Sequence, residues 1–305
     1  MIVVLGSVCA DHLFTVDKLP SVGQTISSLT NDILGGGKGA NQALAAKRAG
    51  ADVALVGAVG SDDDAVPALA TLSKAGVSLQ HLRAIAGETG KAYVYVDRHG
   101  ENFIVLVDAA NGTLTVKDAE TAVDLAENDV LILQQEIPTE VTRAALELAR
   151  PNNIKTILNI APVSDASSQL APLADIVLAN EHEWKLLSES LGEPVIDPQG
   201  WVALHNQILV ITKGGEGASV FSPTGSFDVD APSIKPIDTV GAGDTFCGFF
   251  AAAISAGEPL KHAVEIGVTA ASLACLTSGA QASVPTRLEV AAFSLATNRE
   301  GSIDK

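Results

Sequence analysis

Short runs of β-branched and aliphatic residues alternate with longer alanine-rich stretches along most of this chain, a rhythm that restricts the fold to βαβ units around a parallel sheet. The runs are Ile2 to Leu5, Asp52 to Val56, Asp129 to Leu133, Lys155 to Leu158, Asp175 to Leu178 and Ile208 to Ile211. None alternates strictly between apolar and polar, so each reads as a strand covered on both faces. Between them, helices are predicted at Ala40 to Ala49, stopped by Gly50, at Lys117 to Ala126 behind Thr115 as cap, and at Thr139 to Ala149 behind Pro138. Two segments break the rhythm. Phe14 to Ile33 and Ala92 to Val107 carry β-formers around the turn signals Pro20-Ser21-Val22-Gly23 and Arg98-His99-Gly100-Glu101, with no amphipathic helix. They predict a small accessory sheet, discontinuous in sequence, formed by about residues 12–34 and 91–109. Its expected place is a lid over the carboxyl ends of the main strands, where α/β proteins bind ligands. The expected fold class is α/β, a mostly parallel sheet sandwiched by helices with a small β-sheet lid, in one domain over 1–305.

Composition narrows the partners. Of 305 residues, 47% are hydrophobic and 18% charged, enough apolar surface for a large core. A formal charge of −17 has the wrong sign for coating nucleic acid or anionic lipid, so a polyanionic ligand has to be held by local geometry. Cys9, Cys247 and Cys275 lie far apart, which points to neither disulfides nor a zinc knuckle and fits a reducing compartment. Met1 to Ala10 lacks a basic start, and Ile266 to Thr286 is interrupted by polar residues. Neither a signal peptide nor a membrane span is expected, and the expected location is cytoplasmic. Asp62-Asp63-Asp64 reads as a helix cap and dipole complement, Trp184 and Trp201 as packing, and the six histidines show no metal-ligand spacing. The tail from Asn298 to Lys305 reads as dispensable.

Chemistry concentrates in two glycine clusters. In Ile237 to Phe246, the residues Gly241, Ala242 and Gly243 lead straight into an apolar helix running to Ala256. Their N–H groups form an anion hole at a helix start without a basic side chain. Asp244 stands at its lip, where a carboxylate beside a phosphate is useful only against a hydroxyl, the arrangement of a base in phosphoryl transfer. An ordinary capping aspartate after a glycine turn is the competing explanation. In Leu34 to Asn41, glycines open another helix, with Lys38 and Asn41 three apart and able to contact a polyhydroxyl ligand from one side. Gly35-x-Gly37-x-x-Ala40 imitates a dinucleotide fingerprint but does not follow the first strand, and Lys38 is followed by Gly39 rather than the Ser or Thr of a Walker A loop. Asp11, Glu136, Asn180, Glu183 and the loop from Thr212 to Gly217 all follow strand ends, the ligand edge of such a sheet. Taken singly, each is better explained as a cap or a solvated residue, but taken together they are harder to dismiss.

Gly36-Gly37-Lys38-Gly39-Ala40-Asn41-Gln42 and Asp238-Thr239-Val240-Gly241-Ala242-Gly243-Asp244 resemble the two signatures of the ribokinase-like (PfkB-type) carbohydrate kinases. The likeness extends to about Val290 through Gly6-Ser7-x-x-Ala10-Asp11, Asn180-Glu181-x-Glu183, Thr212-x-Gly214 and Gly279-Ala280-Gln281-x-Ser283-Val284-Pro285. The resemblance implies a Rossmann-like core with a lid, and ATP-dependent phosphorylation of the primary hydroxyl of a pentose, D-ribose to ribose 5-phosphate before others. It implies Asp244 as base with Gly241, Ala242 and Gly243 holding the transferring group. Asp11, Gly37, Lys38, Asn41 and Glu136 would join Asp244 in binding sugar, and Asn180, Thr212, Gly214, Gly217 and Gly243 would line ATP. Asn180 and Glu183 would hold Mg²⁺ through water. A monovalent cation, K⁺, would sit among Asp238, the backbone oxygens of Val240, Ala274, Thr277 and Gly279, and the hydroxyl of Ser283. Paired lids would form a homodimer.

The chain departs from the family at Cys9, two residues before Asp11, where Asn is typical. A thiol does not replace an amide's donor and acceptor, which keeps 2-deoxyribose, another sugar or a nucleoside as alternatives. Cys247, where many relatives carry Asn, is explained by helix packing. Two more distant readings are an NAD-dependent oxidoreductase, motivated by the Gly35 cluster, and a catalytically inert sugar-binding protein. Retention of Asp244 beside the anion-hole glycines opposes the inert reading.

Overall fold

A computed structural model of the protein describes residues 1–99, 101–126, 129–192 and 196–300. Gly100 of the second turn signal and tail residues 301–305 lie outside the described residues. In chain order the elements begin with β1 (Ile2–Leu5), β2 (Cys9–Thr15), β3 (Thr30–Gly36), α1 (Lys38–Arg48), β4 (Val53–Gly60), α2 (Ala65–Ala75), β5 (Leu82–Ile85), β6 (Gly90–Val96) and β7 (Asn102–Val107). Then come α3 (Val116–Leu125), β8 (Val130–Leu133), α4 (Thr139–Ala149), β9 (Lys155–Asn159), α5 (Ser167–Leu170), β10 (Ile176–Asn180), α6 (Glu181–Ser190), α7 (Pro198–His205) and β11 (Ile208–Thr212). The hairpin β12 (Ala218–Ser222) and β13 (Gly225–Val229) precedes α8 (Ala242–Ser255), α9 (Leu260–Ala274) and α10 (Arg287–Glu300).

Among the described residues the main sheet runs β13-β12-β11-β10-β9-β8-β1-β4-β5, parallel from β11 to β5 and closed at one side by the antiparallel β12 and β13. All six runs singled out from their apolar character are strands of this sheet. Their fully buried pattern has a simple cause: in β1, Val3 and Leu5 face the layer of α3 and α4, while Ile2 and Val4 face the layer of α1, α8 and α9. Thr115 caps α3 through a reciprocal pair with Asp118, as its position before the apolar stretch predicted. Trp184 and Trp201 pack edge to face at 5.8 Å in one core layer. Among the described residues no helix is long and apolar enough to cross a membrane, and the three cysteines are free thiols.

The second sheet, β3-β2-β6-β7, is the expected lid. It starts at Cys9 and Gly90 and reaches Gly36 and Val107, so at the hinge side β2, β3 and β6 extend beyond 12–34 and 91–109, whereas β7 stops two residues short. Only Gly6, Ser7 and Val8 separate β1 from β2, and no turn signal marks the passage from one sheet to the other. The acidic triplet before α2 departs from expectation as well. Asp64 makes no side-chain cap; it lies 3.2 Å from both His12 Nε2 and Lys91 Nζ. Asp62 accepts from the N–H and Oγ1 of Thr89 at 3.0 and 2.5 Å. Asp64 ties the lid to the main body, because the His12 ring on β2 and the Lys91 ammonium on β6 outcompete the α2 terminus.

Candidate active site

The lid delivers β3 to the start of α1 through Gly37, whose φ of +87° lies where side chains rarely fit. A Cβ there would meet Cys9 N and Ser7 O, each at 2.9 Å. Glu136, beyond β8, fastens this turn: its Oε2 accepts from Ser7 Oγ at 2.6 Å and from the Lys38 N–H at 3.0 Å. One oxygen of Glu136 therefore serves the fold, and any ligand contact falls to Oε1. Ser7 Oγ also accepts from the Gly39 N–H at 3.3 Å, a joint that no sequence signal marked.

At the start of α8, Gly241 adopts φ +76°, and a Cβ on it would approach Ala280 Cα to 2.8 Å. Asp244 stands in the first turn, 8% exposed. Its Oδ2 accepts from Asn41 Nδ2 at 3.0 Å and its Oδ1 from Gln42 Nε2 at 2.9 Å. The Ala242 N–H, expected in the anion hole, donates to Thr239 O at 3.2 Å because the turn closes on itself there. The N–H groups of Gly243 and Asp244 have no backbone acceptor among the described residues, so the hole rests on them. A Cβ at Gly243 would meet nothing within 4 Å, so open space, not packing, lies beside it.

Asp11, Lys38, Asn41, Glu136 and Asp244 thus come together beneath the lid. Burial first, then the Glu136 and Asp244 carboxylates, push the Asp11 carboxyl up to about 7. Lys38 is raised as well, which for an ammonium favours the charged form: Asp244 above all holds its charge against the cost of burial, helped by Glu136 and Glu183. Cys9, 6% exposed, has a thiol raised far above its ordinary range by burial and then by Glu136 and Asp11. Its neighbour Asn111 was not anticipated. Asn111 exchanges hydrogen bonds with the backbone of Val8 at 2.9 and 3.0 Å, and its Nδ2 reaches Cys9 Sγ at 3.5 Å. A cavity of about 640 Å³ between the ends of α1 and α8 and helix α10 shares no residue with this group.

The remaining candidates line the same sheet edge. Asn180 and Glu183 form a reciprocal cap on α6, with Asn180 Oδ1 and Glu183 Oε2 both accepting at 2.8 Å. That leaves Glu183 Oε1 and the second lone pair of Asn180 Oδ1 to accept from water, which fits contact with a metal through its hydration shell. Thr212 Oγ1 donates to Ala179 O at 3.4 Å, ahead of a glycine loop. Gly214 has φ +55°, a Cβ at Gly215 would meet nothing within 4 Å, and one at Gly217 would meet Val229 O at 2.0 Å. Asp238 accepts from the N–H groups of Val240 and Gly279, each at 2.9 Å, and from Ser278 Oγ at 3.0 Å. Burial opposes its charge, but these bonds together hold its carboxyl below the usual range. The carbonyls of Ala274 and Gly279 each accept one N–H, from Thr277 and Ser283, and keep a second lone pair. Ser283 Oγ donates to Ala280 O at 3.4 Å and keeps its own lone pairs. A fixed carboxylate, carbonyls and a hydroxyl, all hard oxygens, fit a dehydrated monovalent cation. The Gly35 cluster ends a lid strand and does not follow β1, which removes the ground for a dinucleotide site.

Residues 1–287 match the model of the pfkB family carbohydrate kinase. The chain is 35% identical to a ribokinase of Haemophilus influenzae, over 95% of this chain and 97% of that protein. A crystal structure of ribokinase from Thermotoga maritima superposes with TM-score 0.88 at 32% identity, covering 96% of this chain and 98% of that one. The structure of Arabidopsis thaliana ribokinase complexed with ribose and ATP does so with TM-score 0.83 at 28% identity, over 96% and 97%. With a lid, a glycine-opened α1 and a glycine-opened α8 meeting at Asp244, and a family match running through all three, the chain belongs to the pfkB family of carbohydrate kinases.

Proposed function

We propose that this carbohydrate kinase transfers the terminal phosphoryl group of ATP to the primary hydroxyl of D-ribose, giving ribose 5-phosphate. The observation that carries the reading is the Asp244 carboxylate, fixed by Asn41 and Gln42 at the start of α8 beside two N–H groups without backbone acceptors. Phosphoryl transfer asks the protein for alignment and charge neutralisation more than for covalent chemistry. Asp11, Gly37, Lys38, Asn41 and Glu136 hold the sugar hydroxyls so that the primary one faces Asp244. Asp244 accepts its proton as the oxygen bonds to phosphorus and the bond to ADP breaks. The Gly243 and Asp244 N–H groups, at the positive end of α8, stabilise the charge on the moving group. Thr212, Gly214 and Gly217 seat the nucleotide. Mg²⁺, held through water by Asn180 and Glu183, would neutralise phosphate charge, and K⁺ among Asp238, Val240, Ala274, Thr277, Gly279 and Ser283 would stiffen the loop that abuts Gly241. The names of the relatives and the ribose and ATP of the Arabidopsis structure favour this substrate pair. We infer further that two copies pair through their lids.

The test is ADP release over ribose, 2-deoxyribose, fructose, ribulose, adenosine and inosine, with and without K⁺. The largest kcat/KM is expected with ribose; a preference for 2-deoxyribose would assign the missing amide at Cys9 to the 2-hydroxyl. Asp244→Ala is expected to lower kcat by about 10²-fold or more, the size of a positioned base. Near-normal kcat in that variant removes the base assignment.

A further inference from the structure

Gln42 lies one residue beyond Asn41 and is fully buried at 0% exposure, so no substrate atom reaches it. Its Nε2 donates to Asp244 Oδ1 at 2.9 Å and to Asn159 Oδ1 at 3.3 Å, while its Oε1 accepts from Gln134 Nε2 at 2.7 Å. The three amides come from α1, the end of β9 and the residue after β8. Their polarity follows from the carboxylate. Asp244, when ionised, only accepts, so Gln42 must turn its nitrogen to it; its oxygen then faces Gln134, which must present a nitrogen in turn. Gln134 gains little for itself. Its Oε1 is buried without a hydrogen-bond partner among the described residues, the kind of orphaned acceptor that costs stability. A side chain that is poor for folding, yet bonded to the group that bonds Asp244, is accounted for by what it does to Gln42.

We propose that Gln42 is a positioning residue for the catalytic carboxylate and that Gln134 fixes the direction of the Gln42 amide. The inference rests on Asp244 being the base. Asn41 holds Oδ2 and Gln42 holds Oδ1, so the plane of the carboxylate is set before the alcohol arrives. Without Gln42 the group rotates about its Cβ bond and meets the alcohol proton in a spread of orientations. Such loss of alignment lowers turnover while leaving the contacts that bind sugar and nucleotide in place.

Steady-state kinetics with Mg-ATP and ribose, together with thermal midpoints, decide the matter on Asp244→Asn, Gln42→Met, Gln134→Met and the Asp244→Asn/Gln42→Met double variant. Gln42→Met keeps the side-chain length without donors; its kcat is expected to fall about tenfold with both KM values within about threefold. Gln134→Met is expected to lower kcat severalfold with little change in thermal midpoint, since it removes one orphaned acceptor, Gln134 Oε1, and leaves another, Gln42 Oε1. In the Asp244→Asn background, Gln42→Met is expected to change kcat no further, because coupled residues are not additive. Wild-type kcat in Gln42→Met, or a full additional loss in the double variant, overturns the positioning role. Should Gln42→Met fail to fold, Gln134→Met, which does not touch Asp244, decides alone, and an unchanged kcat there overturns the proposal. Wild-type kcat in Asp244→Asn strikes the base reading instead, a separate result.

Discussion

Asp11 bears a charge that its surroundings resist, since burial and then the Glu136 and Asp244 carboxylates push its carboxyl up to about 7. In the sugar-binding role proposed for Asp11, the ionised form is the stronger acceptor and offers both oxygens to hydroxyls. KM for sugar is therefore expected to rise as pH falls through 7, up to about tenfold between pH 7.5 and pH 6, while KM for ATP stays level. Stability moves the same way as proton binding. The unfolded carboxyl, at 3.8, releases its proton well below the folded one, so from about pH 4 to pH 7 the native state holds a proton that the unfolded chain has lost. The contribution of Asp11 to stability accordingly falls as pH rises across that window and is flat above it. Asp11→Asn should raise the thermal midpoint of the free protein at pH 8 while raising KM for sugar; a lowered midpoint at that pH counts against this account. Asp11, Lys38, Asn41 and Asp244 were legible because glycines and strand ends flag them. Gln42 and Ser7 were legible only as members of the family motifs, and Gln134 and Asn111 not at all. Their partners lie 202, 129, 92 and 103 positions away, so their roles exist only once the strands are ordered side by side.

At the scale of elements, the site depends on how closely α1 and α8 approach. Gly248 lies one turn after Asp244 on the same face of α8, and a Cβ there would come to 2.4 Å from Ala45 Cβ and 2.6 Å from Ala46 N. The absent side chain lets the two helices close until Asn41 and Gln42 reach Asp244. Gly248→Ala should therefore wedge them apart, costing about 1–3 kcal/mol of stability. It should also lower kcat severalfold with little change in KM; loss of stability without loss of kcat would separate packing from catalysis. This closeness could be suspected from the small residues of both helices, but their pairing could not. The strands covered on both faces were readable as apolar runs, whereas the edge strands β5 and β13 and the antiparallel β12 beside β13 were not. In β12 the burial alternates residue by residue, and a half-covered antiparallel strand leaves no continuous run to find. The lid was read from what its segments lacked, a helical period. Its hinge-side ends were missed because Cys9 and Gly90 continue chains that show no turn.

For the whole molecule, the unresolved demand is the outer strand of the lid. β7 is an edge of its sheet, and Phe103, Ile104, Val105, Leu106 and Val107 are all exposed along it. An open edge with a row of unpaired backbone groups and apolar side chains invites another strand, and a second copy of the same lid presents a matching surface. The pairing register identifies which face matters. Leu34, Asp11, Ala92 and Leu106 are successive cross-strand neighbours and therefore share one face, as do Leu13, Val94 and Ile104. Leu34, Ile104 and Leu106, between 45% and 51% exposed, flank the carboxylate proposed to bind sugar. A partner lid laid on that face would bury these residues and exclude water from Asp11 together, so the proposed pairing would couple assembly to sugar affinity. The double substitution Ile104→Lys/Leu106→Lys should yield monomers in sedimentation. Its KM for sugar should rise about tenfold, equivalent to one poorly shielded hydrogen bond, with KM for ATP unchanged because Thr212 ends β11 and Gly214 and Gly217 lie in the loop that follows it, outside the lid. A dimer that survives the two lysines would move the contact elsewhere, and a monomer with unaltered KM for sugar would sever the link between assembly and the site.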